Sequence, residues 1–211
     1  MNPKIWIVAR PHYSPTNTLE TMGICGSGFF IRNNIFITAY HILNESSFLP
    51  NAQYFNTKIF LLNPEGNKIE IDRNKILKMC PEIDTILIKV EENNSFFETE
   101  KNYSEMDLIT NIGYPTKSTM EILDKNLVIK KQYKQDGKIL KIHDNYSMNA
   151  NDVKLMNKKV IILDYSSEEG FSGGPLLKND KVIGLMSHLY PNDKNAVAIS
   201  IDEIEKILPI T

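Results

Sequence analysis

Short apolar runs, each closed by a turn signal, are what most constrain this chain. In the first half they fall at residues 5–9, 28–31, 35–38, 58–62, 69–71 and 85–90. In the second half they fall at 108–112, 127–132, 138–143, 160–163, 175–178, 181–187 and 196–201. Runs this short are strand length, and their regular spacing with turn residues between predicts an all-β barrel or sandwich. Arg32-Asn33-Asn34 joins two runs as a β-hairpin, because asparagine accepts left-handed backbone. Asp136-Gly137 and Asn179-Asp180 are predicted tight turns of the same kind. The polar stretch 93–107 reads as a linker between two halves, and 144–157 as the most loop-like part of the second. Residues 202–208 predict one short terminal helix, with Ile204, Ile207 and Leu208 on one face.

Within this frame, Gly170-Phe171-Ser172-Gly173-Gly174-Pro175-Leu176 carries the chemistry. Glycines let the backbone take conformations that a side chain forbids. A serine on such a turn holds its hydroxyl clear of the chain, and the amides beside it can converge as donors. An exposed nucleophile with converging amides suits acyl transfer, in which an oxyanion develops next to the attacked carbon. The same heptapeptide taken alone also fits a plain loop.

A serine needs a base, and the four histidines are His12, His41, His143 and His188. His41 ends the run Ile35-Phe36-Ile37-Thr38-Ala39-Tyr40, which places it at a strand exit. The carboxylate to orient it is Asp84, which follows Pro81 and leads into Thr85-Ile86-Leu87-Ile88-Lys89-Val90. An acid at the mouth of a buried strand is held rigidly and accepts the imidazole N–H. Asp72 and Asp107 are weaker rivals, since neither leads into so apolar a strand.

These three positions resemble the trypsin-like serine peptidases of the chymotrypsin fold. The chain order is His, Asp, Ser. Thr38-Ala39-Tyr40-His41, Asp84-Thr85-Ile86-Leu87-Ile88-Lys89-Val90 and Gly170 to Pro175 resemble the three blocks of that family. They are separated by gaps of 43 and 88 residues. The nearer likeness is to the bacterial branch with the HtrA-type peptidases. Ile112-Gly113-Tyr114-Pro115, Asp164 and the ending Ala198-Ile199-Ser200-Ile201-Asp202-Glu203-Ile204 resemble its signatures. The chain reads as a stand-alone type, with no length for a PDZ module.

The resemblance implies two six-stranded antiparallel Greek-key β-barrels with a short C-terminal helix. The N-terminal barrel, residues 1–105, would carry His41 and Asp84, and the C-terminal barrel, residues 106–211, would carry Ser172. It implies a serine endopeptidase in which Ser172 attacks, His41 moves the proton and Asp84 orients His41, with the Gly170 and Ser172 amides as oxyanion hole. Ser166, Ser167, Ser187, His188 and Ala196 are the expected substrate-binding residues, with Met186 on the substrate-pairing strand and Ala198 on the opposite wall. His188 comes four residues after Gly184, which sets its imidazole outside the specificity pocket. No acid stands at the pocket base, so an uncharged residue is the expected preference. Phe171 stands where zymogen-activated relatives have an Asp. The oxyanion loop must therefore be ordered otherwise, by packing of Phe171 or by an activating partner or oligomer.

Composition narrows the remaining classes. A chain 42% apolar and 24% charged matches an ordinary globular protein. The net charge of −2 gives no reason to expect nucleic acid or an anionic membrane as partner. No run approaches the roughly 20 apolar residues of a spanning helix, and the start up to Arg10 does not read as a secretion signal. Cys25 and Cys80 are expected as free thiols, because Ile42 follows His41 where secreted relatives place a half-cystine. This points to a cytoplasmic location. No metal and no cofactor is expected: His41 and His143 lack ligands at metal spacing. The expected partner is a protein or peptide substrate, cleaved in a dedicated processing, signalling or defence role. A catalytically silent peptide-binding module and a viral polyprotein-processing protease are the alternatives.

Overall fold

The computed structural model describes residues 5–13, 19–43, 59–63, 67–91, 95–115, 120–123, 126–129, 132–150, 153–189 and 194–210. The first half forms seven strands: β1 Ile5–Tyr13, β2 Leu19–Arg32, β3 Ile35–Ala39, β4 Ile59–Leu62, β5 Lys68–Ile71, β6 Ile76–Cys80 and β7 Thr85–Lys89. They pair antiparallel in the order β5-β4-β1-β2-β3-β7-β6. The two ends of that order, β5 and β6, are consecutive in the chain, separated only by Asp72 and a 3₁₀ turn over Arg73–Lys75. The sheet thus curls until one interrupted strand joins its two edges. This accounts for seven strands where six runs were expected.

The second half contains β8 Leu108–Gly113, β9 Met120–Leu123, β10 Asn126–Ile129, β11 Tyr133–Ala150, β12 Val153–Leu163, β13 Pro175–Lys178, β14 Lys181–Leu189 and β15 Ala196–Ser200. Six of these close into a barrel, β11-β12-β15-β14-β13-β8, and β9 with β10 forms a separate two-stranded sheet. The chain is therefore an antiparallel double barrel of the chymotrypsin-like kind. Helix α1, Ile201–Glu205, ends it, shorter than the predicted 202–208. The Ser200 hydroxyl caps α1 by accepting from the Asp202 amide at 3.1 Å.

Residues 5–9 of β1, β4, and most of β3 and β7 bury both faces, which is why they read as unbroken apolar runs and not as alternation. In β1, Trp6 and Val8 join a cluster with Phe30, Phe36, Ile59 and Leu61. Ile5, Ile7 and Ala9 face the other way, into a larger cluster that continues through the second barrel. The Asn33-Asn34 turn forms as expected, with Asn34 at φ 67°. Asn179 and Asp180, at φ 50° and 61°, make the β13–β14 turn.

Two expectations fail. Asp136-Gly137 is no turn: both residues lie inside β11, opposite Thr110 and Ile109 of β8. The Thr110 hydroxyl donates to the Asp136 carboxylate at 2.6 Å, so the aspartate is used across strands and not around a bend. The stretch 144–157 is no loop either. It is the far end of the long β11–β12 hairpin, which buries Tyr146 and Leu155. Two register shifts beside Tyr146 break the period-2 pattern and hide this strand from sequence reading.

The linker expected at 93–107 is fastened to both barrels. The Phe97 amide donates to the Phe30 carbonyl, while Glu98 and Glu100 exchange backbone bonds with Val182.

Candidate active site

His41 and Asp84 meet because β3 and β7 pair antiparallel, with Ala39 opposite Thr85. The residues leaving β3 therefore lie beside the residue entering β7. The Tyr40 amide continues the ladder by donating to the Asp84 carbonyl at 3.0 Å. Asp84 follows a 3₁₀ turn at Pro81–Ile83 and sits in the left-handed region, φ 47° and ψ 44°. Such backbone costs an L residue roughly 1–2 kcal/mol, least for Asp and Asn. Here it turns the carboxylate back over the strand ends.

The carboxylate is wholly buried. Its Oδ1 accepts from the His41 amide at 2.9 Å. Its Oδ2 accepts from His41 Nδ1 at 2.9 Å and from the Ser187 hydroxyl in a short bond. An ionised carboxylate is acceptor-only, so Nδ1 carries the imidazole proton and Nε2 keeps its lone pair. The imidazole is partly open, with 23% of the side chain exposed.

Ser172 comes from the second half, on the turn between Asp164 and β13. Its hydroxyl donates to the Ser187 carbonyl at 3.0 Å. Ser187 thus touches both partners, the carboxylate through its hydroxyl and the serine through its carbonyl. It is the extra residue of a bulge in β14, between the pairs Met186–Ala198 and His188–Val197. Bulges re-aim side chains in this way.

The turn itself is fastened on several sides. Gly170 has φ 101° and Gly173 φ 81°, conformations that other residues rarely adopt. A Cβ on Gly173 would lie 2.2 Å from the Ser27 carbonyl oxygen. The Gly173 amide donates to Met186 O at 2.8 Å, and the Gly174 amide to Phe171 O at 2.9 Å. Phe171 is buried and closes over Gly113, at the end of β8. Among the described residues, neither the Gly170 nor the Ser172 amide has a hydrogen-bond acceptor.

A trypsin family model matches residues 9–208. The chain belongs to the trypsin family. No curated protein sequence matches it significantly. Among solved structures it is similar to AlgW, an HtrA-type protease with a tripeptide, at TM-score 0.69 and 15% identity. That match covers 97% of this chain and 58% of AlgW, so the chain spans little more than half of that relative's length. The apo protease domain of MamO from Magnetospirillum magneticum matches at TM-score 0.68 and 15% identity, covering 99% of this chain and 97% of the other. The active form of the Rv3671c protease from M. tuberculosis matches at 0.66 and 15%, covering 100% and 84%. The trypsin family is one of serine peptidases, hydrolases that take protein or peptide substrates.

In this trypsin-family chain, the residues expected around the substrate are spread over the turn before Gly170, β14 and β15. Ser166 is exposed and Ser167 half-buried, on the turn before Gly170. The Ser166 carbonyl accepts from Gln135 Nε2 at 3.1 Å. Ala196 is buried and its amide donates to Tyr165 O at 2.7 Å, which brings β15 against that turn. The Tyr165 phenol is largely buried, and burial pushes its pKa well up. The His188 side chain lies outside the described residues.

The rival acids are engaged elsewhere. Asp72 accepts from the Asn74 amide and Asp107 pairs with Lys178. Asp164 binds the Lys138 amide at 2.8 Å. Cys25 is half-buried and Cys80 buried, and they form no disulfide among the described residues. Among the described residues, no group of three His, Cys, Asp or Glu side chains converges on a metal site. No helix among them is long and apolar enough to cross a membrane.

Sequence reasoning placed Ser187 on the substrate strand and missed its bond to Asp84. Only the bulge makes that bond, and no local residue pattern announces it. Ser27, described below, was missed for the same reason: it reads as one more small residue in Gly26-Ser27-Gly28.

Proposed function

We propose that the chain is a serine endopeptidase working through Ser172, His41 and Asp84 and an acyl-enzyme intermediate. The observation that carries this reading is the 2.9 Å bond from His41 Nδ1 to a buried Asp84 carboxylate beside Ser172. Rotation about the Ser172 side-chain bond moves its hydroxyl from the Ser187 carbonyl to His41 Nε2. Catalytic hydrogen bonds commonly tighten only when substrate is bound. Oγ then attacks the scissile carbonyl while its proton passes to Nε2. The oxyanion rests on the Gly170 and Ser172 amides. Collapse breaks the C–N bond, and the leaving amine takes the proton from His41. Water attacks the acyl-enzyme by the same path in reverse, His41 accepting its proton, and Ser172 is regenerated.

The tripeptide held by AlgW supports a peptide as substrate. Cys25 and Cys80, which form no disulfide among the described residues, support a reducing, cytoplasmic setting. There a single processing cleavage fits better than bulk degradation. Microscopy of the tagged protein in its own cells tests the location.

A second reading is a silent peptide-binding module. It is favoured by the Ser172 hydroxyl's bond to a carbonyl in place of the imidazole. A fluorophosphonate probe separates the two. Labelling of wild type but not of Ser172→Ala is the expected result. A folded wild type that takes no label overturns the peptidase reading.

A further inference from the structure

We infer that Ser27, in β2 of the first sheet, is the positioning residue that holds the Gly170–Ser172 turn in its donating form. The inference rests on the peptidase reading above. Ser27 is wholly buried and lies 143 residues from Gly170 in sequence. Its hydroxyl donates to the Gly170 carbonyl at 2.7 Å. Its amide donates to the Ser172 carbonyl at 2.8 Å. One residue therefore fastens both carbonyls on either side of Phe171.

The geometry of linked peptide planes gives this its consequence. A trans peptide holds C=O and the following N–H in one plane, pointing in opposite directions. Pinning the Gly170 and Ser172 carbonyls fixes the planes before and after the Phe171–Ser172 peptide. The Ser172 amide belongs to that middle plane. The Gly170 amide lies one plane further back, across the two soft dihedrals of a glycine, so Ser27 holds that residue only at its carbonyl. Without both anchors, the middle plane is free to turn the Ser172 amide away.

The Ser27 hydroxyl is itself well oriented. It accepts from the Tyr114 amide at 2.9 Å, which aims its single proton at Gly170. The Ser27 carbonyl accepts from the Thr38 hydroxyl at 2.7 Å, three residues before His41. The segment next to the base thus also holds the turn that carries the nucleophile. Replacing Ser27 by alanine leaves the buried Gly170 carbonyl and Tyr114 amide without this partner. The Phe171–Ser172 plane then keeps one anchor of two, and the turn gains conformers in which the Ser172 amide points elsewhere.

The test is the inactivation rate and affinity of a fluorophosphonate with wild type, Ser27→Ala and Ser27→Cys. The maximal rate, kinact, is expected to fall about 100-fold in Ser27→Ala, the low end for loss of one oxyanion donor. The concentration for half-maximal rate, KI, stays within about twofold, because the pocket is untouched. The His41 Nδ1 proton resonance stays where it is in wild type, because the Asp84 pair is intact. Ser27→Cys, with a weaker donor of similar shape, falls by about tenfold. If Ser27→Ala does not fold, Ser27→Cys decides by the same criteria. Wild-type kinact in the folded variant overturns the positioning role and leaves the peptidase reading standing. A lost or displaced His41 resonance makes Ser27 a general prop and also overturns it. A wild type that does not react at all removes both.

Discussion

The two barrels share one strand order but hold their functional groups differently. Reading β5 and β6 as one interrupted strand, the first runs in the cyclic order β1-β2-β3-β7-(β6/β5)-β4. The second runs β8-β11-β12-β15-β14-β13, the same pattern. In the first, His41 and Asp84 stand at adjoining ends of paired strands, so the ladder that builds the sheet also builds the pair. In the second, Ser172 sits on a turn with two positive-φ glycines, held by bonds to Met186, Ser187 and Ser27. A His–Asp pair built into a sheet comes fixed with the fold. A serine on a turn has to be fastened, and each fastening can be lost without losing the fold.

Substitutions on the two sides sharpen this contrast. Ser172→Ala is expected to lower peptide or ester turnover by roughly 10⁶-fold. Its melting temperature should match wild type, since the hydroxyl is partly exposed and makes one bond. A melting point several degrees lower would mean that the turn is part of the core and break the contrast.

Asp84→Asn is next, at about 10⁴-fold. An amide cannot accept three bonds as a carboxylate does, and its NH₂ faces the donors of His41 or Ser187. A stability loss of about 1–3 kcal/mol should accompany it, read by urea unfolding. Activity near wild type would remove Asp84 from the site. Ser187→Ala deletes one tie between the halves, the hydroxyl's bond to Asp84. It should cost about 1.5–3 kcal/mol, the range for a bond to a charged group, with a turnover loss of about tenfold. No change in either would mean that Asp84 is sufficiently held by His41.

The smallest effect lies away from the site, between the linker and β13. The Lys178 ammonium, 2.7 Å away, holds the Asp107 carboxyl below its usual pKa. Stability from such a group is present above the unfolded carboxyl's pKa and lost as pH falls through the folded one. Asp107→Asn should therefore cost less than about 1 kcal/mol at neutral pH. The difference from wild type should vanish in acid. A difference that persists at low pH would assign it to the Ser104 amide that Asp107 also accepts.

The sequence made the strand content and the His41, Asp84 and Ser172 positions legible for a physical reason. Each precedes or follows a strand whose apolar run is unbroken, and Gly170 and Gly173 flag a turn that side chains would forbid. Contacts through irregular backbone were not legible. Ser187 reaches Asp84 from a bulge, and Ser27 reaches Gly170 across 143 residues. Strands were expected at the base of the β11–β12 hairpin, but its far end was mistaken for a loop because its register shifts scramble the alternation. Asp136-Gly137 fits a turn equally well by composition. Only the pairing with β8 decides against it.

The bulge at Ser187 also sets a timetable for biosynthesis. Domains form largely from the N-terminus as the ribosome releases them. The strands that carry His41 and Asp84 end at Lys89, whereas Ser172 waits for Met186 and Ser187 to be made. During translation the nascent chain therefore carries the His41–Asp84 pair long before the Ser172 turn is held, and the two stay unconnected until β14 has been made.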